Sequence, residues 1–403
     1  MCPRLSEDQV NFSSTGDTIS SRFKVKPECI FFVLSILLMT PSCDSASNRS
    51  SQPDPALVLP ARIDAIFSGS KAKDAPGGAV LVIKNGQVVF RQGYGITDLR
   101  SLHKIDERTN FRLASVTKQF TAMAVMLLVE DGKLHYDDRL TDILPEFADY
   151  GKSVTIRNLL NHTSGLQDYE DLMVNDLPGQ EIPQIKDAGV LDLLKKQRGT
   201  KFAPGSRWDY SNSGYAVLAM IVQKISAQPF GQFLRDRIFT PVGMRNTVAY
   251  EKGTNEVRNR AYGHTKSEDG WRETDQSSTS AVLGDGGIYS SIEDMSRWDQ
   301  SWERHTLLSE SKLRPALTPA QSLSGDLLKG RDGKPVKYGF GWFLDPYRGH
   351  ARMFHNGETI GFRNTIQRFT DDKLTIVVVC NRADVNPEAL ALQVADLYFG
   401  AAN

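Results

Sequence analysis

Leu113-Ala114-Ser115-Val116-Thr117-Lys118-Gln119-Phe120-Thr121 runs without a break into Ala122-Met123-Ala124-Val125-Met126-Leu127-Leu128-Val129. An apolar run of that length, rich in Ala, Met and Leu, reads as a buried helix rather than a strand. On a helix, residues i and i+3 share a face, so Lys118 stands one turn above Ser115. Ser115 falls at the helix N-terminus, where free main-chain N–H groups and the positive dipole end favour a developing negative charge. A weak nucleophile, a nearby amine and a positive helix end are what acyl transfer to serine needs. Spacing alone does not single the pair out. Ser-x-x-Lys recurs at Ser21–Lys24, Ser68–Lys71, Ser70–Lys73, Ser101–Lys104 and Ser309–Lys312, and none of these opens a long apolar helix.

Around that stretch, the 403-residue chain is long enough to bury a large core. Basic and acidic residues balance at 48 each, with no basic stripe interleaved with aromatics, so no nucleic-acid partner is expected. Arg22, Lys24 and Lys26 precede the apolar run Ile30 to Met39, which is followed by Thr40-Pro41-Ser42-Cys43. That run is about half the roughly 20 residues needed to span a bilayer. The pattern reads as a secretory leader over residues 1–43, with Cys43 as a lipid attachment point. Residues 44–56, rich in Ser, Asn, Asp and Pro, read as a tether. The expectation is an exported bacterial protein, periplasmic or membrane-anchored, that meets the membrane only through a lipid. Cys2 and Cys29 would leave with the leader, and Cys380 sits in a strand-like apolar run, so no disulfide framework is implied.

Past the tether, a short helix near Leu59 to Phe67 precedes a hairpin. Ala79 to Ile83 and Gln87 to Phe90 flank Asn85-Gly86, the strongest short hairpin signal. Helices are expected from Tyr215 to Ile225, from Gly231 to Ile238 and after Ser291. Ala261 to Ser280 reads as a loop or ribbon, and Gly284 to Ser290 as a tight turn. Strands are expected at Tyr338–Leu344, Ala351–Phe354, Gly361–Phe369 and Leu374–Asn381, then a helix capped by Asn386 with Pro387 at its first position. The expected fold class is α+β: an antiparallel sheet built from both chain ends and flanked by helices, with an inserted, mostly helical domain. Its parts are residues 57–112 and 288–403 for the sheet domain and 113–287 for the helical one.

Two further elements can serve Ser115. Tyr210-Ser211-Asn212 is the only Tyr-x-Asn of the chain and lies just before a helix. His355-Asn356-Gly357 is the only His-x-Gly and lies between strand-like runs. His162, in Asn161-His162-Thr163-Ser164-Gly165, reads as structural, and the seven scattered histidines show no metal-ligand spacing. No cofactor is implied, and nothing in the pattern speaks to oligomeric state.

The order Ser-x-x-Lys, Tyr-x-Asn, His-x-Gly resembles the serine β-lactamase and penicillin-binding-protein superfamily over roughly residues 57–400. The nearest branch resembles the class C β-lactamases and their DD-peptidase, D-aminopeptidase and esterase relatives. The resemblance implies Ser115 as the acylated nucleophile and Lys118 with Tyr210 as its proton-transfer network. Asn212 would bond Lys118 or the substrate amide, and the main-chain N–H groups of Ser115 and Glu358, just past Gly357, would form the oxyanion hole. The substrate would be a small ester or a peptide amide, including D-amino-acid peptides. The alternatives are a β-lactamase or DD-carboxypeptidase proper, or a silent scaffold of the same fold. Many members carry Lys-Thr-Gly at the third motif, where this chain has His355-Asn356-Gly357. An imidazole near its ordinary pKa of about 6.5 is expected to hold a substrate carboxylate only at acid pH.

Overall fold

The computed structural model describes residues 55–70, 73–176, 184–322 and 324–400. The expected leader, Cys43 and residues 44–54 of the expected tether lie outside the described residues. The first helix, Pro55–Ile66, takes up the tether's last two positions.

A five-stranded antiparallel sheet carries the order β2-β1-β10-β9-β8. Its strands are β1 (Gly78–Lys84), β2 (Gln87–Tyr94), β8 (Arg352–Thr359), β9 (Phe362–Phe369) and β10 (Leu374–Cys380). The hairpin turns on Asn85 and Gly86, both with positive φ (52° and 74°), as a tight turn matched to strand twist requires. The early strand β1 pairs along its whole length with the late strand β10, Gly78 opposite Cys380 and Lys84 opposite Leu374. Both chain ends thus build one sheet.

The two faces of that sheet are buried by different partners. Val80, Val82, Ile376 and Val378 pack with Ile63 of the first helix and Val394 of the last, Pro387–Phe399. Ala79, Leu81, Val377 and Val379 join the core of the helical body. Burial on both sides explains the unbroken apolar runs of β1 and β10. Each buried Val, Leu or Ile contributes roughly 1.5–3 kcal/mol. Cys380 belongs to the first of these clusters, a free thiol whose pKa burial pushes up to about 12.

The central apolar run forms a 3-10 turn, Ala114–Thr117, leading into the helix Lys118–Glu130. From Phe111 to Leu128 every residue is buried except Ser115. This helix packs against Asn212–Ser226, a second buried helix whose N-cap is Ser211, its Oγ accepting from the Gly214 N–H. Such a cap is worth about 1 kcal/mol. The helix expected from Tyr215 therefore begins three residues earlier, at Asn212.

Four other expectations need correction. Tyr338–Leu344 is not a strand. Only isolated bridges form there, because Gly341 turns to φ 78° and Gly339 lies against the Ala316 carbonyl, where a Cβ would come within 1.9 Å. The His355-Asn356-Gly357 motif lies inside a strand rather than between two, since β8 runs on to Thr359. Gly284 to Gly287 is a short helical turn, Leu283–Gly286, followed by strand β7 (Ile288–Ser290). The helix expected over Gly231–Ile238 changes pitch, from Phe230–Leu234 in α geometry to a π-turn at Arg235–Phe239. Residues 261–280 do form a ribbon, β5 (His264–Ser267) with β6 (Gly270–Glu273).

One close approach fixes the sheet against the Ser115 turn. A Cβ on Gly357 would lie 2.1 Å from the Leu113 carbonyl oxygen and 3.3 Å from Val116 Cγ2. Strand β8 can rest on that turn only with glycine there. Gly357→Ala should therefore push β8 off the turn, at a cost of about 1–3 kcal/mol in stability. Acylation should slow by more than the loss of folded protein explains. Chemical denaturation with a titrated covalent probe checks both, and a variant equal to wild type in the two measurements would show that the contact yields freely.

Candidate active site

Lys118 is wholly buried, and its Nζ donates to three acceptors. These are Ser115 Oγ at 3.1 Å, Asn212 Oδ1 at 2.9 Å and the Asp285 carbonyl at 3.0 Å. An ammonium fills all three of its N–H groups this way. A neutral amine in the same place would keep its bonds to Asn212 and Asp285 and turn its lone pair to Ser115 Oγ. One geometry thus serves both protonation states, as a group that takes the serine proton and returns it requires. The ring of Tyr210 lies 4.9 Å from Nζ and that of Tyr215 at 5.6 Å, within cation–π range.

Each partner is placed by its own local chemistry. Ser115 follows Ala114, which takes φ 50°, a left-handed conformation costly for a residue with a Cβ. That turn leaves Ser115 half-exposed in an otherwise buried run. Asn212 is the first residue of its helix, and its N–H donates to Asp168 Oδ2 at 2.9 Å. Asp285 is offered by the Leu283–Gly286 turn, which Asp187 caps by accepting from the Leu283 and Gly284 N–H groups. Gly284 is needed there, since a Cβ would lie 2.2 Å from the Tyr215 carbonyl. Arg112 Nε donates to the Gly286 carbonyl at 3.2 Å, and Thr121 Oγ1 to the Gly284 carbonyl at 2.6 Å.

The carboxylates of Asp285 and Asp168 feel the Lys118 charge. Burial nevertheless dominates and raises both pKa values, while Lys118 opposes the rise. Asp285 Oδ2 also accepts from the Tyr169 hydroxyl at 2.8 Å.

The third motif differs from the sequence expectation. His355 is buried, not exposed to substrate charge. Its Nε2 lies 3.2 Å from the Tyr338 hydroxyl and its Nδ1 2.6 Å from the Asn356 carbonyl. Burial first, and the Lys118 ammonium second, push its pKa down from 6.5 to about 3. It is neutral across the working pH range, so no titration near pH 6.5 can switch carboxylate binding.

Gly357 is packed on the Ser115 turn as described, and Glu358 follows it with an exposed side chain paired to Arg363 at 2.9 Å. Strand β8 is the sheet edge. Phe354 turns its N–H and C=O outward, to Phe343. Alternation along an antiparallel strand turns Asn356 and Glu358 the same way. The Glu358 N–H thus points off the edge, and the Ser115 N–H belongs to the unpaired first turn of its helix. Each is thus a main-chain donor left unpaired by its own element, the kind of group an oxyanion hole uses.

Sequence reasoning missed the Asp285 carbonyl, Asp168 and the Tyr338 partner of His355. The dense glycines of Gly284-Asp285-Gly286-Gly287 were the available signal for close backbone approach.

The arrangement of serine, buried amine, aromatic shelf and strand edge suits a serine hydrolase. Residues 63–399 match the Beta-lactamase family, and the chain belongs to it. It is a serine hydrolase of the β-lactamase and penicillin-binding-protein superfamily. A penicillin-binding protein of Bacillus subtilis is 30% identical over 354 residues, covering 84% of this chain and 76% of that one. A D-aminopeptidase of Brucella ovis is 29% identical over 314 residues, covering 76% of this chain but only 56% of its own length. The solved structure of an octameric penicillin-binding protein homologue from Pyrococcus abyssi superposes with a TM-score of 0.72 at 23% identity, over 85% of this chain and 77% of that one.

The neutral His355 carries a stability signature. In the unfolded chain it takes a proton below its ordinary pKa of 6.5, whereas the folded protein refuses one until about pH 3. Stability is therefore lost as pH falls below 6.5, by up to about 1.4 kcal/mol per pH unit. Asp187, pushed up to about 7 by burial, acts in the opposite sense. The difference between wild type and His355→Gln isolates the histidine. Urea unfolding from pH 8 to 5 should show the gap between the two narrowing on acidification, and a gap that stays constant refutes the buried neutral state.

Proposed function

We propose that this serine hydrolase acylates Ser115 with small amides or esters that carry no carboxylate at the third-motif side. Short D-aminoacyl amides and esters with a free amino group are the best fit. The observation that carries this reading is His355, buried, neutral and committed to Tyr338 and the Asn356 carbonyl. It supplies no cation for the carboxylate of a penicillin or of a peptide C-terminus. Asp168, whose carboxylate accepts from the Asn212 N–H, is an acidic group beside Asn212 that suits an amino group better than a carboxylate. Kinship with a D-aminopeptidase over three quarters of this chain supports the same substrate class.

In this cycle Lys118, as the neutral amine, takes the Ser115 proton across their hydrogen bond as Oγ attacks the carbonyl, and Tyr210 beside it completes the relay to the leaving group. The Ser115 and Glu358 N–H groups hold the oxyanion, the leaving amine or alcohol departs with the proton, and water then hydrolyses the ester on Ser115. A matched panel tests the reading: a D-alanyl anilide, its N-acetyl form, a neutral ester, a D-alanyl-D-alanine peptide and a penicillin. The first and third should be the better substrates, with kcat/KM at least about tenfold above the carboxylate-bearing pair, a factor of about 1.4 kcal/mol. Ser115→Ala should abolish all turnover and the mass gain from a fluorophosphonate. Preference for the D-alanyl-D-alanine peptide or for penicillin overturns the proposal.

We also propose that the enzyme is exported and held at a membrane through Cys43. The support is the basic, apolar, small-residue stretch ending at that cysteine. Metabolic palmitate labelling should tag the wild type and miss Cys43→Ser. An unlabelled, freely released wild type excludes the anchor.

A further inference from the structure

His162 stands outside the set that touches Ser115, yet it carries three costs at once. Its φ is 61°, a left-handed value for a residue with a Cβ. Its side chain is wholly buried. Its Nε2 has no hydrogen-bond partner among the described residues. A residue kept only to fill space has no need of any of these; leucine or phenylalanine would pack without an orphaned donor.

The contacts show what the costs support. The His162 carbonyl accepts from the Asp209 N–H at 2.9 Å. Its Nδ1 accepts from the Ser211 N–H at 3.2 Å, which places the ring proton on Nε2. One residue therefore grips the main chain on both sides of Tyr210. Its ring also lies against the Tyr210 ring, centroids 4.3 Å apart and planes 36° apart. Left-handed backbone at position 162 lets carbonyl and imidazole reach the same strand of chain. Asp209 is further pinned by Arg331 at 2.6 Å and Lys201 at 2.6 Å, so the loop is held from outside as well. Ser211 is in turn the N-cap of the helix that begins at Asn212.

We infer that His162 is a positioning residue for acylation: its carbonyl and Nδ1 clamp residues 209 and 211 and thereby set Tyr210 against Lys118 and Asn212 at the head of its helix. It acts through Tyr210 and touches no substrate. Burial first, and the Lys118 charge second, keep it neutral, so Nδ1 stays free to accept. The titratable groups that face it are Lys118, His355, Tyr210, Tyr215 and Tyr338.

The inference rests on Ser115 as nucleophile, so intact-mass labelling of Ser115 in the wild type is read first. Failure there is a failure of the nucleophile assignment, not of the clamp. His162→Asn and His162→Phe then separate the parts. Asparagine tolerates left-handed backbone, and its Oδ1 falls near the position of Nδ1. Phenylalanine keeps a ring and removes the acceptor. His162→Phe should lose at least tenfold in single-turnover acylation with KM little changed, and should shift the pH profile of acylation. His162→Asn should recover most of the rate and the wild-type profile. Equal loss in both variants, or a wild-type profile in His162→Phe, overturns the inference. Should His162→Phe fail to fold, His162→Asn decides alone: a wild-type pH profile supports the Nδ1 clamp and a shifted one overturns it.

Discussion

A buried ammonium must have its donors filled and its field answered, and Lys118 imposes both demands. Its three acceptors come from three distant parts of the chain: Ser115, Asn212 and the Asp285 carbonyl. The helix Lys118–Glu130, the helix Asn212–Ser226 and the Leu283–Gly286 turn must therefore close on one point. The same charge organises the protonation states around it. It adds to burial in depressing His162 and His355, and it opposes burial in raising Asp168 and Asp285. Burial, with this cation added, thus keeps two histidines neutral, and the same cation softens the burial of two carboxylates. Neutral histidines are what allow His162 and His355 to serve as fixed hydrogen-bonding posts.

Convergence at that density needs unusual backbone. Ala114 and His162 adopt left-handed φ, and Gly284 and Gly357 sit where a Cβ would overlap a carbonyl. Left-handed backbone at a non-glycine residue costs of order 1–3 kcal/mol and persists only where its surroundings dictate it. The surroundings here are two apolar layers, one on each face of the sheet. Of the left-handed non-glycine residues, Ala114 lies beside Ser115 and His162 packs on Tyr210, where small errors of position would cost the most rate.

Much of this was legible in the residues. The Asn85-Gly86 hairpin, the Asn386 cap and the long apolar helix after Ser115 are local signals, and local signals survive folding. The spacing of Ser115 and Lys118 and the single Tyr-x-Asn and His-x-Gly also needed no tertiary knowledge. Tyr338–Leu344 was misread because apolar alternation says nothing of the two glycines' close contacts, with Ala316 at Gly339 and with Gln119 at Gly341. The charge state of His355 was misread because burial is a property of the whole fold. The part played by Asp285 was hidden for another reason. Its carbonyl binds Lys118, and a carbonyl is common to every residue.

Strand β8 shows how little of the third motif's work depends on side-chain charge. Along it, His355 and Gly357 face the helical body, where one meets Tyr338 and the other the Leu113 carbonyl. Asn356 faces the other layer, where its Nδ2 donates to Glu388 at 2.7 Å and its Oδ1 accepts from Thr365 at 2.6 Å. Neighbouring residues of one motif thus tie both layers of the molecule to the sheet edge. What remains for substrate is the outward main chain at Glu358. An N–H there stabilises developing oxyanion charge whatever the side chain, and a preorganised donor of this kind can be worth about 2.7–4 kcal/mol in the transition state. A neutral imidazole at His355 therefore leaves the main-chain geometry of the strand edge in place and offers no cation there.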